Sequence, residues 1–435
     1  MTNNINLSGK MILAPLTRGG NLPFRRLCAD FGMEVSLGEM IYARNLIKRD
    51  RIEQARLRRS PSEPIFGVQM ATNQIDEGVR AMKLAQDAGA DFVDLNCGCP
   101  IYAATRRGLG SSLLRSPKKL GKLVKGIVEA GPEHDVTIPL TVKIRLGCEA
   151  NSINVREIVD SVRNAGAAAV TIHGRTAQQG YSKAADWELI KQVVQDGKED
   201  GLSVPVVGNG DILTHYEARR RMDQSGVDSV MVGRGALIKP WIFKEFLDDQ
   251  VWEPDATERI EVYRTLTKYM KDHFGDDDMG KKKSWYFLPW HFQFLSRYEA
   301  FPEEEFSAYS VENPLIQKRH SNSAELQPLD DLLSNRNTKT HDLIADVLWE
   351  SSSNNDAITK LRALAASQEY NDIKNAPEEQ PEETEELANI PDSAKGKWHR
   401  RRGRNPKPQR TPEEIAAIRA ERAAKKLALQ NATSE

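Results

Sequence analysis

The sequence has few cysteines and no excess charge of either sign. Four cysteines are spread over 435 residues, too few for a disulfide scaffold, and the formal net charge is −1. No apolar run is long enough to span a bilayer, and the first residues do not read as a signal peptide. We therefore expect a soluble, intracellular protein with no membrane contact. Cys97 and Cys99 lack a second Cys or His pair at zinc spacing, so we expect no metal site.

Short β-branched runs alternate with amphipathic segments over residues 1–250, as in parallel strands joined by helices. The predicted strands are 11–14, 34–37, 65–70, 92–96, 140–144, 168–173, 204–207 and 229–232. The predicted helices are 22–31, 75–88, 118–129, 155–165, 187–195 and 215–222. About eight strands in this length predict an α/β fold, a closed (β/α)8 TIM barrel. An open doubly wound sheet is the alternative, but its Gly-x-Gly-x-x-Gly turn is absent after the first strand.

Residues 251–370 have helical periodicity and no β-rich run, which predicts a small helical domain. Its predicted helices are 258–273, 328–333, 341–349 and 357–366. An acidic loop, 275–280, precedes Lys281, Lys282, Lys283 and an aromatic cluster, 284–292. Residues 371–435 are expected to form a charged, disordered tail. Within it we distinguish an acidic run, 378–386, a basic run, 395–410, and a terminal helix, 411–429.

Two glycine-containing turns follow the seventh and eighth predicted strands. They are Asn209-Gly210-Asp211 and Gly233-Arg234. TIM barrels commonly bind a phosphate group at these two positions, where backbone N–H groups face the ligand. Each turn alone is equally compatible with an ordinary βα connection. Their joint occurrence predicts a phosphate site.

Three further polar residues lie in or near the ends of predicted strands. Lys143 lies inside an apolar run, where a lysine is costly to bury without an anionic partner. It either faces solvent or contacts a group that develops negative charge, such as the N1–O2 edge of a reduced flavin. His173 is either a satisfied core histidine or part of the shared site. Gln69 offers an amide to a ring edge, a weak signal by itself.

The stretch Asp94-Leu95-Asn96-Cys97-Gly98-Cys99-Pro100 leads from the fourth predicted strand into a turn that carries a thiol. Polar groups at the carboxyl ends of barrel strands share one site. An inert buried cysteine, a nucleophile with a lowered pKa and a neutral proton donor all remain open for this position. The residues alone separate neither these roles nor Cys97 from Cys99.

Nine motifs, in order along residues 9–250, resemble the tRNA-dihydrouridine synthase family. They are Ala14-Pro15-Leu16-Thr17, Asn21-Leu22-Pro23-Phe24-Arg25, Gly38-Glu39-Met40, Gly67-Val68-Gln69, Asn96-x-Gly98-Cys99-Pro100, Val142-Lys143-Ile144-Arg145, His173-Gly174-Arg175-Thr176, Gly208-Asn209-Gly210-Asp211-Ile212 and Gly233-Arg234-Gly235-Ala236. Residues 13–25, with Leu237-Ile238-Lys239-Pro240-Trp241 and Phe287-Leu288-Pro289-Trp290, are most similar to the eukaryotic branch that reduces uridine 47 in the tRNA variable loop.

The resemblance implies an oxidoreductase that holds FMN in the barrel mouth and uses NADPH, or NADH, to reduce a tRNA uridine to 5,6-dihydrouridine. Hydride would pass from flavin N5 to C6 of the uracil, and Cys99, which directly precedes the proline of its motif, would protonate C5. Asn96 and Arg175 would orient the uracil. The implied cofactor-binding residues are Pro15, Leu16, Thr17, Gln69, Lys143, His173, Asn209, Gly210, Asp211, Gly233 and Arg234.

A tRNA substrate requires a basic surface and a uridine flipped out of its stack. We expect this surface at the barrel rim and in the helical domain, from Arg18, Arg25, Arg106, Arg107, Lys281, Lys282 and Lys283. The alternative for the three lysines is a solvated loop, and the alternative for the aromatic cluster is a core.

The basic run 395–410 is either a tRNA-binding arm or a nuclear localisation signal. We accordingly expect a cytoplasmic monomer, with the nucleus as a second location. Two rival functions remain: a flavin barrel that acts on a small molecule, and a non-catalytic RNA-binding barrel.

Overall fold

The computed structural model describes residues 5–199, 201, 204–318 and 326–375, and its first part is a closed barrel of parallel strands. The strands are β1 (Met11–Leu13), β2 (Val35–Leu37), β3 (Ile41–Tyr42), β4 (Ile65–Ala71), β5 (Phe92–Cys97), β6 (Leu140–Arg145), β7 (Val170–His173), β8 (Val206–Asn209) and β9 (Ser229–Val232). They follow the order β2-β1-β9-β8-β7-β6-β5-β4, and β2 pairs with β4 to close the ring. The predicted TIM barrel is thereby confirmed. The short β3, which pairs with the end of β4, was not predicted.

Helices cover the outside of the barrel and bury their apolar faces against the strands. They are α1 (Leu22–Asp30), α2 (Ala43–Ile47), α3 (Arg51–Ala55), α4 (Ile75–Asp87), α5 (Tyr102–Thr105), α6 (Pro117–Ala130), α7 (Val155–Arg163), α8 (Trp187–Glu199), α9 (His215–Ser225), α10 (Arg234–Ile238) and α11 (Ile242–Asp248). The longer ones are the six predicted helices. Local signals set their ends: α9 begins at a capping box of Thr214 with Glu217 and ends at Gly226, whose φ of 70° suits glycine.

The helical region predicted after the barrel is present. It consists of α12 (Ala256–Phe274), α13 (Asp278–Ser284), α14 (Leu288–Leu295), α15 (Glu303–Phe306), α16 (Pro328–Ser334), α17 (Thr338–Glu350), α18 (Asn354–Ala365) and α19 (Gln368–Asn375). The acidic loop predicted at 275–280 is wrong in its second half. Asp277 accepts a hydrogen bond from the Gly280 N–H at 2.7 Å, which starts α13 at Asp278 and makes Lys281–Lys283 helical.

Most of the aromatic cluster at 284–292 packs inside the protein, as the alternative to an RNA surface supposed. Phe292 is buried, and Trp285 lies edge-on to Trp349 of α17 at 5.7 Å. Tyr286 is the exception, with 54% of its surface exposed. The cluster therefore joins α14 to α17 and leaves one ring to solvent.

The described residues lie in one compact unit, Met1–Pro381. The division into domains at residue 250 stays a prediction. The acidic run, the basic run and the terminal helix predicted in the tail lie outside the described residues. Within the part of the chain that the structure describes, no helix is both long and apolar enough to cross a membrane.

An apolar cluster closes the barrel interior below its mouth and includes Ile12, Val35, Phe92 and Val207. The Phe92 ring occupies the space above Gly67, where a Cβ atom would lie 2.2 Å from the ring. Since β4 and β5 are paired at these two residues, neither backbone can move away easily. Glycine is thus required at 67 so that the large ring can fill the barrel.

We predict that Gly67→Ala lowers the free energy of unfolding by about 1–3 kcal/mol, the usual cost of overpacking a core. Gly180→Ala is the matched control, because its Cβ atom would meet nothing closer than 3.9 Å. Urea unfolding followed by circular dichroism measures both. Equal stability of the two variants would contradict the packing argument.

Candidate active site

The predicted barrel residues gather at the carboxyl ends of the strands, which form the mouth. Strand pairing sets Asn96 beside Lys143, and His173 between Arg145 and Asn209. Residues paired in this way on parallel strands face the same side of the sheet. The remaining positions are Pro15, Leu16 and Thr17 after β1, Gln69 in β4, Cys99 after β5, Gly210 and Asp211 after β8, and Gly233 and Arg234 after β9.

The turn that carries Cys99 is held from two sides. Asn96 Oδ1 accepts hydrogen bonds from the N–H of Gly98 at 3.2 Å and of Cys99 at 3.0 Å. On the other side, the Cys99 carbonyl accepts from the Ser111 N–H at 2.9 Å, and Gly110 with φ of 60° allows this approach. The thiol is therefore carried on a fixed turn at the mouth, where it is half-buried.

The structure separates the two cysteines of the motif. Successive side chains of a strand point to opposite faces, so Cys97 points outward when Asn96 points into the barrel. Cys97 is fully buried in the core between strands and helices. Burial, and then the charge of Asp94, raise its thiol pKa well above the ordinary value. Cys97 is consequently a packing residue, whereas Cys99 carries a half-buried thiol at the mouth.

Lys143 lies in the polar interior rather than in solvent. Its Nζ donates to Asn209 Oδ1 at 3.1 Å, and Asn209 Nδ2 donates to the Met231 carbonyl at 2.7 Å. Burial, followed by the charge of Arg145, lowers the pKa of Lys143 to about 8, while Asp94 opposes this shift. At neutral pH the mouth therefore contains a cationic lysine with a single neutral hydrogen-bond partner among the described residues.

His173 is a neutral imidazole. Burial lowers its pKa well below the ordinary value, and so do four cations around it, Arg145, Lys143, Arg175 and Arg234. Arg175 Nη1 lies 3.2 Å from His173 Nε2. Since a guanidinium only donates, Nε2 accepts and the proton is on Nδ1. His173 thus brings a hydrogen-bond donor, without charge, into a positive region.

Asp211, Arg234 and the residues paired with them form a charged group at the mouth, which we call the cradle. Arg175 supports this cradle from inside and does not face the mouth. Its guanidinium is fully buried, donates to the Lys183 carbonyl at 2.8 Å and is paired with Asp211 at 2.6 Å. Asp211 also accepts from Arg234 at 2.9 Å and from the Ala185 N–H at 2.7 Å. These contacts leave few donors of Arg175 for a uracil, so its predicted orienting role has no support in this arrangement.

The cradle has an excess of positive charge, as an anion site requires. Arg145, Arg175 and Arg234 face one another across Tyr181, whose ring lies 4.0 Å from the Arg234 guanidinium carbon. Asp211 is the carboxylate that directly pairs with two of them. Leu16 closes the opposite wall, since a Cβ atom on Gly233 would lie 3.3 Å from its methyl group.

Sequence analysis missed Asp94, Arg145 and Tyr181. Asp94 and Arg145 lie two residues from Asn96 and Lys143 on the same strands, so the period of two was the available signal. Tyr181 lies on the loop after β7, where no periodicity identifies a residue. Its place is known only from the contacts of its ring with His173 and with two arginines.

The predicted RNA-binding cations do not all lie on the surface. Arg25 is wrong as a rim residue, because it is buried and paired with Glu63 at 2.7 Å. Lys281 pairs with Asp346 at 3.0 Å and with Glu350 at 2.9 Å, which neutralises it. Lys282, Lys283, Arg106 and Arg107 are exposed. Arg18 stacks on Tyr286 at 4.1 Å, beside the mouth loop that follows β1.

A closed parallel barrel with a thiol, a lysine and an anion cradle at one end defines a TIM-barrel enzyme site. The model of the dihydrouridine synthase (Dus) family matches residues 12–321, and the chain belongs to this family.

Similar proteins carry names that are more specific. The chain is 42% identical over 303 residues to tRNA-dihydrouridine(47) synthase [NAD(P)(+)] of Coprinopsis cinerea, covering 68% of this chain and 44% of that protein. It is 39% identical over 295 residues to the tRNA-dihydrouridine(47) synthase [NAD(P)(+)]-like protein of Homo sapiens, with the same coverage of 68% and 44%. The chain thus spans less than half the length of the curated relatives it matches.

We predict that Lys143→Met stabilises the protein at pH 7 by roughly 1–3 kcal/mol, because a pKa unit corresponds to about 1.4 kcal/mol. The pKa of Lys143 is about 8 in the fold against 10.5 unfolded, so its burial costs nothing above pH 10.5, stability is lost as the pH falls from 10.5 to 8, and the full cost is present below 8. The gain in the variant should therefore be larger at pH 7 than near pH 10. Guanidinium unfolding at both pH values measures it, and a gain independent of pH would contradict the assignment.

Proposed function

We propose that this chain reduces a uridine of tRNA to 5,6-dihydrouridine with NADPH or NADH as the reductant, and that uridine 47 is its target. Family membership and the names of the similar proteins support the reaction and the position. One observation carries the proposal: the turn that carries the Cys99 thiol is held at the barrel mouth, while Cys97 is enclosed in the core.

The mouth fits FMN, which the family resemblance implies. Arg234 and its neighbouring arginines offer more positive charge than Asp211 neutralises, which suits a phosphate group. Ala14 and Leu16 form an apolar wall, and Lys143 with Gln69 lies on the polar side, so a ring with one apolar and one polar edge is accommodated. When bound, FMN would supply the hydride that adds to C6 of the uracil.

The protein itself supplies the proton. The C5–C6 double bond is reduced when C6 gains hydride and C5 gains the proton of Cys99 Sγ, delivered from the other face of the ring. Because the turn is held by Asn96 and by the Ser111 N–H, the thiol needs little reorganisation to reach C5. With FMN bound, the charge of Lys143 would stabilise the negative charge that the reduced flavin ring carries before it gives up hydride.

A uridine must leave its stack to reach this pocket, and the rim beside Cys99 suits the flanking RNA. Arg106 and Arg107 are exposed on the segment that follows the Cys99 turn. Tyr102, on the same segment, is 59% exposed and lies 6.0 Å from the Arg106 guanidinium carbon. Exposed cations beside an aromatic ring are the common means of holding single-stranded nucleic acid.

A cytoplasmic location, with the nucleus as a second location, and a monomeric state remain predictions. The two rival functions are separable from the proposal by experiment. A flavin barrel for a small molecule would not bind tRNA, and a non-catalytic barrel would not carry a flavin.

The decisive experiment supplies purified protein with NADPH and with tRNA from cells that lack this protein, then maps dihydrouridine by reverse-transcription arrest. We expect new dihydrouridine at position 47 and an absorption band of bound flavin. New dihydrouridine at another position would contradict uridine 47 as the target but would still support the proposed reaction. If no new dihydrouridine forms at any position, the proposed function is excluded.

Replacing Cys99 tests the proton donor. Cys99→Ala should lower the rate of uridine reduction by about a hundredfold or more, the usual effect of losing a general acid, while flavin absorption is kept. Cys97→Ala is the matched control and should retain the rate, because Cys97 faces the core. Loss of activity in Cys97→Ala with full activity in Cys99→Ala would reverse the assignment.

The rim is tested by the salt dependence of tRNA binding. Arg106→Ala combined with Arg107→Ala should weaken binding and reduce the slope of log K against log salt by about 1–2, since each phosphate contact contributes about 0.7–0.9. Lys122→Ala with Lys125→Ala, two exposed cations later on α6, is the control of equal charge. An equal loss of slope in both double variants would mean that the rim has no special role.

A further inference from the structure

A continuous chain of hydrogen bonds joins the barrel interior to the Cys99 turn. Thr141 Oγ1 and Gln69 Nε2 each donate to Asp94 at 2.8 Å. Asn96 Nδ2 donates to Gln69 Oε1 at 2.8 Å, and Asn96 Oδ1 accepts from the Cys99 N–H at 3.0 Å. The chain thus begins at a carboxylate and ends at the residue that carries the thiol.

Asp94 determines which group donates and which accepts in each of these hydrogen bonds. An amide group has nearly the same shape in its two orientations, so Gln69 and Asn96 could each be turned by half a rotation. An ionised carboxylate only accepts, which selects the orientation of Gln69 with Nε2 toward Asp94 and Oε1 toward Asn96. The Gln69 oxygen then selects the orientation of Asn96. A reversed Asn96 would place its NH2 group against the backbone N–H groups of Gly98 and Cys99.

Stability does not explain a carboxylate at this position. Asp94 is 1% exposed, and burial raises its pKa to about 6, although hydrogen bonds from Gln69 and Thr141 and the charge of Lys143 oppose this. It is therefore mainly ionised at neutral pH. No ion pair within 4 Å involves Asp94 among the described residues. An apolar or amide side chain would cost less free energy here, so the charge points to another role.

We propose that Asp94 is a positioning residue, which fixes the amide orientations of Gln69 and Asn96 and, through them, the place of the Cys99 thiol. The consequence for uridine reduction rests on the proposed function, whereas the orientation of the amides does not. The second N–H of the Gln69 amide and that of the Asn96 amide are not used in these hydrogen bonds, so both amides would offer a donor to a flavin or uracil ring.

The test is the alkylation rate of each cysteine by iodoacetamide in the purified protein without tRNA, followed by peptide mass spectrometry. Asp94→Asn should speed alkylation of Cys99 by about threefold or more, as expected when a hydrogen bond that holds the turn is lost. Cys28, which is fully buried at a distance in sequence, is the internal control and should stay unreactive. Thr141→Val removes one donor without freeing Gln69 and should change the Cys99 rate by less than about twofold.

A double variant tests the direction of the hydrogen bonds rather than the stability of the fold. In Asp94→Asn with Gln69→Glu, the new asparagine donates to the new glutamate, which still accepts from Asn96 and so restores its orientation. The Cys99 rate should return to within about twofold of the wild type. A wild-type rate in Asp94→Asn, or no recovery in the double variant, would overturn the proposal.

If Cys28 also becomes reactive in Asp94→Asn, that variant has not folded correctly. Gln69→Leu is then the variant that tests the proposal. This variant cuts the chain one step nearer the turn and leaves Asp94 in place. A faster Cys99 with an unreactive Cys28 supports the proposal, and an unchanged Cys99 overturns it. Because these rates need neither tRNA nor NADPH, they stand even when no uridine is reduced.

Discussion

Alternation of side chains along the barrel strands is the constraint on which the site depends. Each strand turns every second residue inward, so Asp94 and Asn96 enter the barrel with Lys143 and Arg145 of the next strand. The same alternation sends Cys97 into the helix layer. A shift of one residue in β5 would turn Cys97 into the barrel interior and would bury Asp94 and Asn96 in the helix layer. Phe92 opposes such a shift, because its ring fills the space over Gly67, where any side chain would clash with it.

The site also depends on electrostatics, because the carboxylate of Asp211 neutralises part of the positive charge at the mouth. Its carboxylate receives Arg175, Arg234, the Ala185 N–H and the Gln317 amide. This set of contacts holds the residue at φ of 52°, a strained value for any side chain but tolerable for aspartate. Among the described residues, Arg145 and Lys143 have no carboxylate paired with them, and burial together with these cations lowers the pKa of His173. This excess of positive charge is the electrostatic feature on which the proposed phosphate site rests.

Much of the barrel followed from sequence because its signals are local and periodic. Eight strands and six barrel helices have the predicted type, and several of the inward polar residues near strand ends were singled out by their chemistry. Arg25 was misplaced because a charge is normally exposed, and only the fold reveals Glu63 beside it. Lys281 was misjudged for the same reason, since Asp346 and Glu350 are distant in sequence. Pairings of this kind depend on tertiary contacts that no local pattern encodes.

Among the described residues, the helical region contacts loops of the mouth at Asn21 and at Asp211. Asn21, just after the β1 loop, contacts His291 of α14 at 3.1 Å, and the His291 ring stacks on Phe24 at 4.7 Å. Burial lowers the pKa of His291 to about 3, so this contact does not change with pH in the neutral range. At the other point, Gln317 donates to Asp211 at 3.0 Å. Since these contacts hold the β1 loop and the Asp211 turn, the helices stabilise the mouth itself and also add surface beside it.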